Sequence, residues 1–475
     1  MNRSSMLLAL IPCAFPICAA AAESGDIINF VDSRYEQTSA LARDLWEFAE
    51  VGYQEVKSST LIKETLAAEG FEVESGIAGI PTAFVASYGS EGPIIGILAE
   101  YDALPGINQD DLPTRSPIQG KLAGQACGHN LFGAGSVGAA IAVKHWLEES
   151  GAPGVIRLYG TPAEEGGSGK VYLVREGLFD DLDVAIHWHA DDENRAGARG
   201  SLANRSAKFR FRGFSAHAAG APHKARSALD GVEAFNYMVN LMREHVPQET
   251  RIHYVITNGG DAPNVVPDFA EAFYYLRHPD AEKVKELWVR LEQAALGAAK
   301  GTGVEVDWEI IHGNHPVLIN ETLAKMMDEK LHDVGGIEYD EREEAFAREL
   351  YTTLISPENP LGSQADIQPY EVGFGFGSTD VGDVSMTVPT VGLRVAAWVP
   401  GTSSHSWQAT AASGMSIGYK GAQVAAKTMA LAAIELFENP ELRAEAKAEF
   451  DERRGEDFVY EALLGDRSPP LDYRN

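Results

Sequence analysis

The protein has 475 residues, of which 45% are hydrophobic and 23% are charged, an ordinary globular composition. A chain of this length suggests roughly two to three structural units, at ~100–200 residues for each domain. The net charge of −30 at pH 7 excludes partners that need a basic face, such as nucleic acid or an anionic membrane surface.

The first residues have the pattern of a secretory signal peptide. Arg3 precedes an apolar stretch at residues 6–17, and the alanines at 20–22 suit a cleavage site. The stretch is shorter than the ~18 residues that a spanning helix needs, and no other segment reaches that length, so no membrane span is expected. We therefore predict a cleaved signal at residues 1–22 and a periplasmic or secreted mature protein.

Helices and strands then alternate along the chain. Leu41, Leu45 and Phe48 share one helical face, and a second helix is predicted at residues 58–69. Buried strands are predicted at residues 93–98, 155–159 and 183–188, with a glycine-containing helix at 129–147 between the first two. This alternation predicts an α/β unit with a mixed, mostly parallel sheet covered by helices.

The pattern changes after residue 201. Residues 207–212 alternate as in a half-exposed strand, and the segments that follow predict the order β-α-β-β-α-β up to residue 311. That order is typical of a ferredoxin-like α+β unit. We predict an inserted domain at residues 202–316, which divides a catalytic domain into parts at 23–201 and 317–475.

Four clusters of residues carry chemistry, each at the end of a predicted strand or in a loop beside one. They are Cys127-Gly128-His129-Asn130, Glu164-Glu165-Gly166-Gly167, His187-Trp188-His189 and Gly401-Thr402-Ser403-Ser404-His405-Ser406-Trp407. In open α/β sheets ligands bind at the carboxyl ends of strands, and thiolate, imidazole and carboxylate together suit zinc or manganese. Taken singly, a cysteine is usually a small buried hydrophobe and an adjacent glutamate pair a solvated face. Their shared placement favours a metal site.

These clusters resemble motifs of the aminoacylase and glutamate-carboxypeptidase class of dinuclear metallohydrolases, and most closely its p-aminobenzoyl-glutamate hydrolases. The resemblance covers nearly all of the chain after the signal, from Trp46 to the helix after Gly421. The matching stretches lie at residues 99–105 (AEYDALP), 126–133 (ACGHNLFG), 162–167 (PAEEGG), 264–267 (NVVP), 377–385 (GSTDVGDVS) and 405–408 (HSWQ).

The resemblance implies a role for each matching residue. It implies two divalent metal ions, manganese or zinc, held by Cys127, His129, Glu165, His189 and His405, with Cys127 as the bridging ligand. It makes Glu164 the general base and His217 a histidine of the inserted domain that stabilises the developing oxyanion, often in a neighbouring subunit. Asn264 and Arg277 match positions that bind the substrate carboxylate.

The chain departs from the family pattern at two positions. Many relatives carry aspartate after the motif histidine, where this chain has Asn130. The aminopeptidase branch has a metal-binding histidine at the position of Glu100, so Glu100 and Asp102 are expected only to orient ligands. His187 is expected to lie behind His189, whose spacing from Asp183 fits the family.

The resulting hypothesis is an amidohydrolase of N-acyl or N-aroyl amino acids, p-aminobenzoyl-glutamate being one candidate, which acts as a homodimer through the inserted lid domain or within a heteromer. The alternatives are a deacylase of other acyl amino acids, a dipeptidase, and a partner subunit without catalysis. A solute-binding protein would share the two-domain α/β pattern but would not account for the cysteine, paired glutamates and histidines.

Overall fold

The computed structural model describes residues 24–196 and 198–474. The predicted signal peptide at residues 1–22 therefore lies outside the described residues. Across those described ranges, no helix has both the length and the apolar character needed to cross a bilayer.

The described chain forms one large sheet, one smaller sheet and short paired segments. The strands are β1 (Glu72–Ser75), β2 (Phe84–Tyr88), β3 (Ile94–Ala99), β4 (Leu104–Pro105), β5 (Ala123–Gly124), β6 (Val155–Gly160), β7 (Val184–Asp191), β8 (Arg195–Ala196), β9 (Arg199–Gly200), β10 (Ala203–Arg212), β11 (Arg251–Asn258), β12 (Phe269–His278), β13 (Glu305–Asn314), β14 (Gly373–Phe374) and β15 (Thr390–Ala396).

Helices pack on both sheets. They are α1 (Ser24–Ser33), α2 (Tyr35–Phe48), α3 (Val56–Ala68), α4 (His129–Ser150), α5 (Glu164–Gly167), α6 (Gly169–Arg175), α7 (Ala228–Met242), α8 (Ala281–Thr302), α9 (Glu321–Val334), α10 (Glu341–Tyr351), α11 (Val381–Ser385), α12 (Trp407–Ser413), α13 (Ser416–Glu438) and α14 (Pro440–Arg454).

The large sheet has the strand order β1-β2-β6-β3-β7-β15-β8. Its central pairs β6–β3, β3–β7 and β7–β15 are parallel, whereas the pairs towards both edges are antiparallel. The predicted α/β class with a helix-covered mixed sheet is therefore confirmed. Strand β2 and helix α14 were not predicted.

The glycines of α4 explain how closely this helix packs. A Cβ atom on Gly135 would lie 3.0 Å from a ring carbon of Trp188 and 3.0 Å from the carbonyl oxygen of Ala422. The helix thus lies between β7 and α13, where a larger side chain would force the elements apart. The close packing predicted from these glycines is present, and it fixes the start of α4 beside the end of β7.

The smaller sheet has the antiparallel order β11-β12-β10-β13, and α7 and α8 pack against it. Along the chain its elements follow the predicted order β-α-β-β-α-β, so the ferredoxin-like α+β unit is confirmed. Its core is separate from that of the large sheet. The sheet runs from Ala203 to Asn314, within the predicted insert at residues 202–316; the exact domain limits stay a prediction.

Candidate metal centre

Parallel strands bring distant residues to one edge of the large sheet. Glu100 and Asp102 follow β3, Glu164 and Glu165 follow β6, and His189 lies near the end of β7. Since β3 runs parallel to both β6 and β7, these strand ends lie side by side. The start of α4 adds Cys127 and His129 to the same edge.

Five side chains that the resemblance assigned to metal come together here. One group consists of Cys127, His129 and His189, and a second of Cys127, Glu165 and His405; within each group the ligand atoms all lie within 4.8 Å of one another. Cys127 belongs to both groups. The arrangement therefore offers two neighbouring ligand sets that share one sulfur atom, which suits a pair of ions.

The ring of His129 is held so that Nε2 faces the other ligands. Its Nδ1 donates to the carboxylate of Asp102 at 3.0 Å and to the Asp102 carbonyl oxygen at 3.1 Å. The second carboxylate oxygen of Asp102 accepts from the backbone N–H of Glu165 at 2.9 Å. Asp102 thus orients two candidate ligands at once, the usual role of a carboxylate behind a metal-binding histidine.

The second histidine is oriented in the same way. His189 Nδ1 donates to the carbonyl oxygen of Ala190 at 2.7 Å, so that Nε2 faces the Cys127 sulfur, 3.5 Å away. Burial raises the pKa of the Cys127 thiol, but His189 and His129 more than offset this and hold the pKa well below its usual range. A thiolate is the form of cysteine that binds metal.

Glu165 and His405 face each other across the centre, with 3.2 Å between Glu165 Oε1 and His405 Nε2. Burial and the nearby Cys127 raise the pKa of Glu165 to about 7. Hydrogen bonding to Cys127 and Glu165 raises the pKa of His405 to about 10. The pKa of Glu165 rises because the carboxylate is buried beside Cys127, and the pKa of the half-exposed His405 rises because its neighbours Cys127 and Glu165 are anionic. A divalent ion would favour the ionised carboxylate and the neutral imidazole.

The polar atoms that face the centre show that these residues fit a metal. His129 Nε2, Glu165 Oε1 and Glu100 Oε2 are buried, and among the described residues none of them has a partner outside the centre. Glu100 Oε2 faces His129 Nε2 at 3.1 Å, and Glu165 Oε1 faces His405 Nε2 at 3.2 Å. Buried polar atoms are rarely left unpaired because desolvation without a partner is costly. Three such atoms in one place, beside a thiolate and two imidazoles, are what a binding site for a soft or borderline divalent ion requires.

The turn that carries the two glutamates is strained. Ala163 and Ser168, which flank α5, have φ angles of 58° and 60°, and His405 has a φ of 59°. Left-handed backbone costs a residue with a Cβ atom roughly 1–2 kcal/mol. The backbone N–H of Ala163 donates to buried Glu55 at 2.9 Å and Tyr53 donates to the Gly167 carbonyl oxygen at 2.6 Å, and these contacts hold the turn in place.

Glu164 lies near three other carboxylates, those of Glu100, Glu165 and Asp380. Burial raises its pKa well above the usual value, and Glu100, Glu165 and Asp380 raise it further. Glu164 also forms a third group with Glu100 and His129, whose candidate ligand atoms lie within 4.8 Å of one another. A carboxylate with a raised pKa beside a metal site is suited to accept a proton from water.

A buried lysine separates these carboxylates. Lys170 Nζ lies 2.6 Å from Glu100 Oε1 and 2.8 Å from Asp380 Oδ1, and all three side chains are buried. The backbone N–H of Lys170 also donates to Asp380 at 2.9 Å. Glu100 is therefore neutralised on one oxygen and faces His129 Nε2 with the other, at 3.1 Å.

His187 lies outside both ligand groups. On β7 it is opposite Gly392 of β15, where a Cβ atom would be 2.2 Å from His187 Nε2. Burial, Arg394 and His189 lower the pKa of His187 to about 3, so its imidazole is neutral. A supporting position for His187 stays a prediction.

Arg277, on the smaller sheet, lies near the edge of the large sheet that carries Glu164, here called the catalytic edge. Arg277 lies on β12, and its guanidinium stacks on Tyr275 at 5.3 Å from the ring centroid. Burial lowers the pKa of Arg277, whereas Tyr275 and Glu164 act to raise it. Its Nε is buried and has no hydrogen-bond partner within the described part of the chain. A desolvated guanidinium with a free donor beside the catalytic edge suits a substrate carboxylate.

His217 and Asn264 lie elsewhere. Both are exposed, and their segments pair through the bridge between His217 and Val265 and the bond from the Ala218 N–H to the Asn264 carbonyl oxygen. His217 Nδ1 accepts from the N–H groups of Ala219 and Gly220. None of the hydrogen bonds or ion pairs found in the described residues links His217 or Asn264 to the ligand groups.

Sequence reasoning missed several residues of the site: Lys170, Tyr275, Asp380, Tyr473 and Arg474. Asp380 did leave a signal, since it lies in the matching stretch at residues 377–385 without an assigned role. The others have no local pattern, and Tyr473 and Arg474 are near the very end of the chain.

The chain is similar to several known proteins. Residues 96–350 match Peptidase family M20/M25/M40. The chain is 37% identical over 455 residues to a p-aminobenzoyl-glutamate hydrolase subunit of Escherichia coli (strain K12), covering 89% of this chain and 95% of that protein. It is 29% identical to Xaa-Arg dipeptidase of Mus musculus, covering 88% and 90%. Among solved structures, the YXEP protein of Bacillus subtilis, a dinuclear metal binding peptidase from the M20 family, superposes with a TM-score of 0.59 at 18% identity, covering 86% and 99%.

Proposed function

This chain belongs to peptidase family M20/M25/M40 and is a metal-dependent amide hydrolase, and from that premise we propose that it cleaves N-acyl or N-aroyl amino acids, p-aminobenzoyl-glutamate among them. The single observation that carries the proposal is the pair of ligand groups sharing Cys127, with Glu164 beside them. The identity to the E. coli p-aminobenzoyl-glutamate hydrolase subunit supports the choice of substrate.

Each of the two ligand groups would hold one ion. Cys127, His129 and His189 would hold one ion, and Cys127, Glu165 and His405 the other. Two such ions supply water of lowered pKa and polarise the amide carbonyl. Thiolate and imidazole favour zinc by softness, while the carboxylates also suit manganese, and we propose these two metals.

The chain's own residues handle the proton and the substrate. Glu164 takes a proton from the attacking water and returns it to the amine nitrogen that leaves, because its raised pKa makes it a stronger base than an exposed glutamate. Arg277 binds the carboxylate of the amino-acid half. Asp102 keeps His129 and the backbone of Glu165 in position throughout.

A dipeptidase activity is the second candidate, and the likeness to Xaa-Arg dipeptidase favours it. The same centre would cleave a peptide bond, so only the contacts to the two halves of the substrate distinguish the activities. A partner subunit without catalysis is the third. The presence of both ligand groups together with Glu164 argues against that alternative.

The proposal predicts that activity depends on metal. Protein stripped by a chelator should hydrolyse no acylated amino acid, and zinc, manganese or cobalt, restored in turn, should bring back turnover of p-aminobenzoyl-glutamate. Cys127→Ser should lower the metal content measured by elemental analysis, because a thiolate shared by both groups is lost. His189→Ala and His187→Ala form a matched pair two residues apart, and only the first should lose metal.

Full activity in the stripped protein would contradict a metal-dependent reaction. Turnover of dipeptides alone, in a screen that includes acyl amino acids, would favour the dipeptidase. Unchanged metal content in both Cys127→Ser and His189→Ala would remove the proposed ligand set.

We also propose that His217 acts in the site of a second copy of this chain. Strand β11 is an edge of the smaller sheet, and its Val255 and Ile256 are 58% and 45% exposed. Tyr237 and Leu241 are further exposed large side chains, on α7, which packs on the same sheet. An edge strand with exposed apolar side chains suits association. No hydrogen bond or ion pair in the described residues links the exposed His217 to its own centre. Since the E. coli relative is named as one subunit of its hydrolase, a different chain is the other candidate partner.

His217→Ala should lower turnover by about 10²–10³-fold, the cost of losing one oxyanion donor, with metal content unchanged. Co-expression of His217→Ala chains with Glu164→Gln chains tests action between subunits. A mixed dimer then has one site with both Glu164 and the partner's His217, so activity should reappear. Activity no higher than that of the two variants alone would place His217 within its own chain.

Residues 1–22 support a proposal that the protein is exported and that the signal is removed near Ala22. The mass of the protein recovered from the periplasm or the medium would test it.

A further inference from the structure

Residues 463–474, here called the tail, run across the junction of the two sheets. Leu463 packs in the core of the smaller sheet, while the adjacent Leu464 packs in the core of the large sheet, and each is only 2% exposed. Further on, the guanidinium of Arg467 donates to the Ile311 carbonyl oxygen on β13 at 3.0 Å. The Arg467 carbonyl oxygen in turn accepts from Arg175 on α6 at 2.7 Å. The tail is therefore anchored to both units.

The tail ends at the turn that carries Glu164 and Glu165. Tyr473 donates from its hydroxyl to the Glu165 carbonyl oxygen at 3.0 Å, and Arg474 Nη2 donates to the same oxygen at 2.5 Å. Gly52 leaves room for this contact, since a Cβ atom there would lie 2.5 Å from the Tyr473 hydroxyl oxygen. The Arg474 guanidinium stacks on the Tyr473 ring, 4.7 Å from its centroid.

Arg474 retains a free donor beside the site. Its Nε is buried and, like Nε of Arg277, has no hydrogen-bond partner among residues 24–196 and 198–474. Burial raises the pKa of Tyr275, and both arginines lower it. A Cβ atom on Gly166 would lie 3.8 Å from both the Tyr275 hydroxyl oxygen and Arg474 Nη2. Two guanidiniums and a phenol thus gather next to the catalytic glutamates, in a chain whose net charge is −30.

We propose that Arg474 is a specificity-determining residue, which binds a side-chain carboxylate on the amino-acid half of the substrate while Arg277 binds the α-carboxylate. The inference rests on the proposed function and deepens it. Arginine has five N–H donors in a rigid fork, so a bond from Nη2 to Glu165 leaves Nε and a second donor for a carboxylate. Tyr473 acts as a positioning residue, because it holds the guanidinium plane and the Glu165 carbonyl oxygen together.

The test compares an acidic substrate with its neutral isostere. The metal-loaded full-length protein is assayed with p-aminobenzoyl-glutamate and p-aminobenzoyl-glutamine, as wild type and as Arg474→Gln and Arg474→Lys. Wild type should prefer the glutamate substrate, and Arg474→Gln should lower that preference by about tenfold to a hundredfold, the range for one charge-assisted hydrogen bond. Arg474→Lys should keep part of it, since charge remains without the fork. Arg348→Gln, which removes an exposed arginine on α10, is the matched control and should keep the wild-type preference.

Binding of the amino-acid products gives a second measurement that needs no turnover. By calorimetry, wild type should bind L-glutamate more tightly than L-glutamine, and Arg474→Gln should remove the difference. An equal loss for both substrates and both products would overturn the inference and leave Arg474 only as a support for the Glu165 carbonyl oxygen. A wild type without any preference for the acidic compounds would overturn it too, although hydrolysis of both substrates would leave the proposed function standing. Absence of turnover would count against the proposed function, and the calorimetry would still decide on Arg474.

Discussion

Replacing Glu164 by glutamine should lower the turnover number by about 10²–10⁴-fold while the protein keeps its metal, because the amide preserves the shape of the side chain but cannot accept a proton. Glu164 follows β6 on the strained turn, and burial together with Glu100, Glu165 and Asp380 raises its pKa well above the usual value. Steady-state kinetics on an acylated amino acid and elemental analysis of the same preparation measure the two quantities.

The matched control for this variant is Glu176→Gln, which removes an exposed carboxylate at the end of α6. It should leave both turnover and metal content unchanged. Turnover near the wild-type value in Glu164→Gln would exclude Glu164 as the base. Loss of metal would instead make it a ligand, an arrangement that its grouping with Glu100 and His129 would allow.

Replacing Lys170 by methionine should lower the free energy of unfolding by about 3–5 kcal/mol, the cost of leaving a buried charge without its partner. Lys170 lies between the carboxylates of Glu100 and Asp380, and all three side chains are shielded from solvent. Its removal leaves two carboxylates close together in a region of low polarity, beside the equally buried Asp102 and His129. Denaturant unfolding followed by circular dichroism measures the change.

Two further variants separate charge from packing. Lys170→Met combined with Asp380→Asn removes one of the two uncompensated charges and should recover part of the lost stability. Lys447→Met, which breaks an exposed pair with Asp451 on α14, should cost little because solvent screens such pairs. A loss of stability as small in Lys170→Met as in Lys447→Met would contradict the buried-charge account.

The loss of Lys170 should also weaken metal binding. Glu100 would lose the contact that fixes one of its oxygens, and its other oxygen is the neighbour of His129 Nε2. A residue that only supports the fold would not change metal affinity under conditions where the variant is fully folded. A metal titration well below the unfolding transition therefore tests whether Lys170 tunes the centre.

Much of the candidate centre could be predicted from local sequence. Cys127, Glu165 and His189 belong to clusters that follow buried strands, and parallel strands end at a common edge. The order of strands and helices after residue 201 was equally readable, because alternating and helical periodicities differ and the turns between them are marked. The resemblance led us to expect that Asp102 orients a ligand, but the bond that orients His189, to the Ala190 carbonyl oxygen, had no signal in the sequence.

The sequence by itself determined the α/β class, the inserted α+β unit and the convergence of the metal-binding clusters, since hydrophobic periodicity and strand ends encode these locally. Only the tertiary structure decided that Lys170 meets Asp380, 210 residues further along the chain, and that Arg474 reaches the Glu165 carbonyl oxygen. Those contacts depend on how separate elements pack against one another. A buried charge needs a partner that is close in space and shielded from water. Neither condition produces a repeating pattern in the sequence.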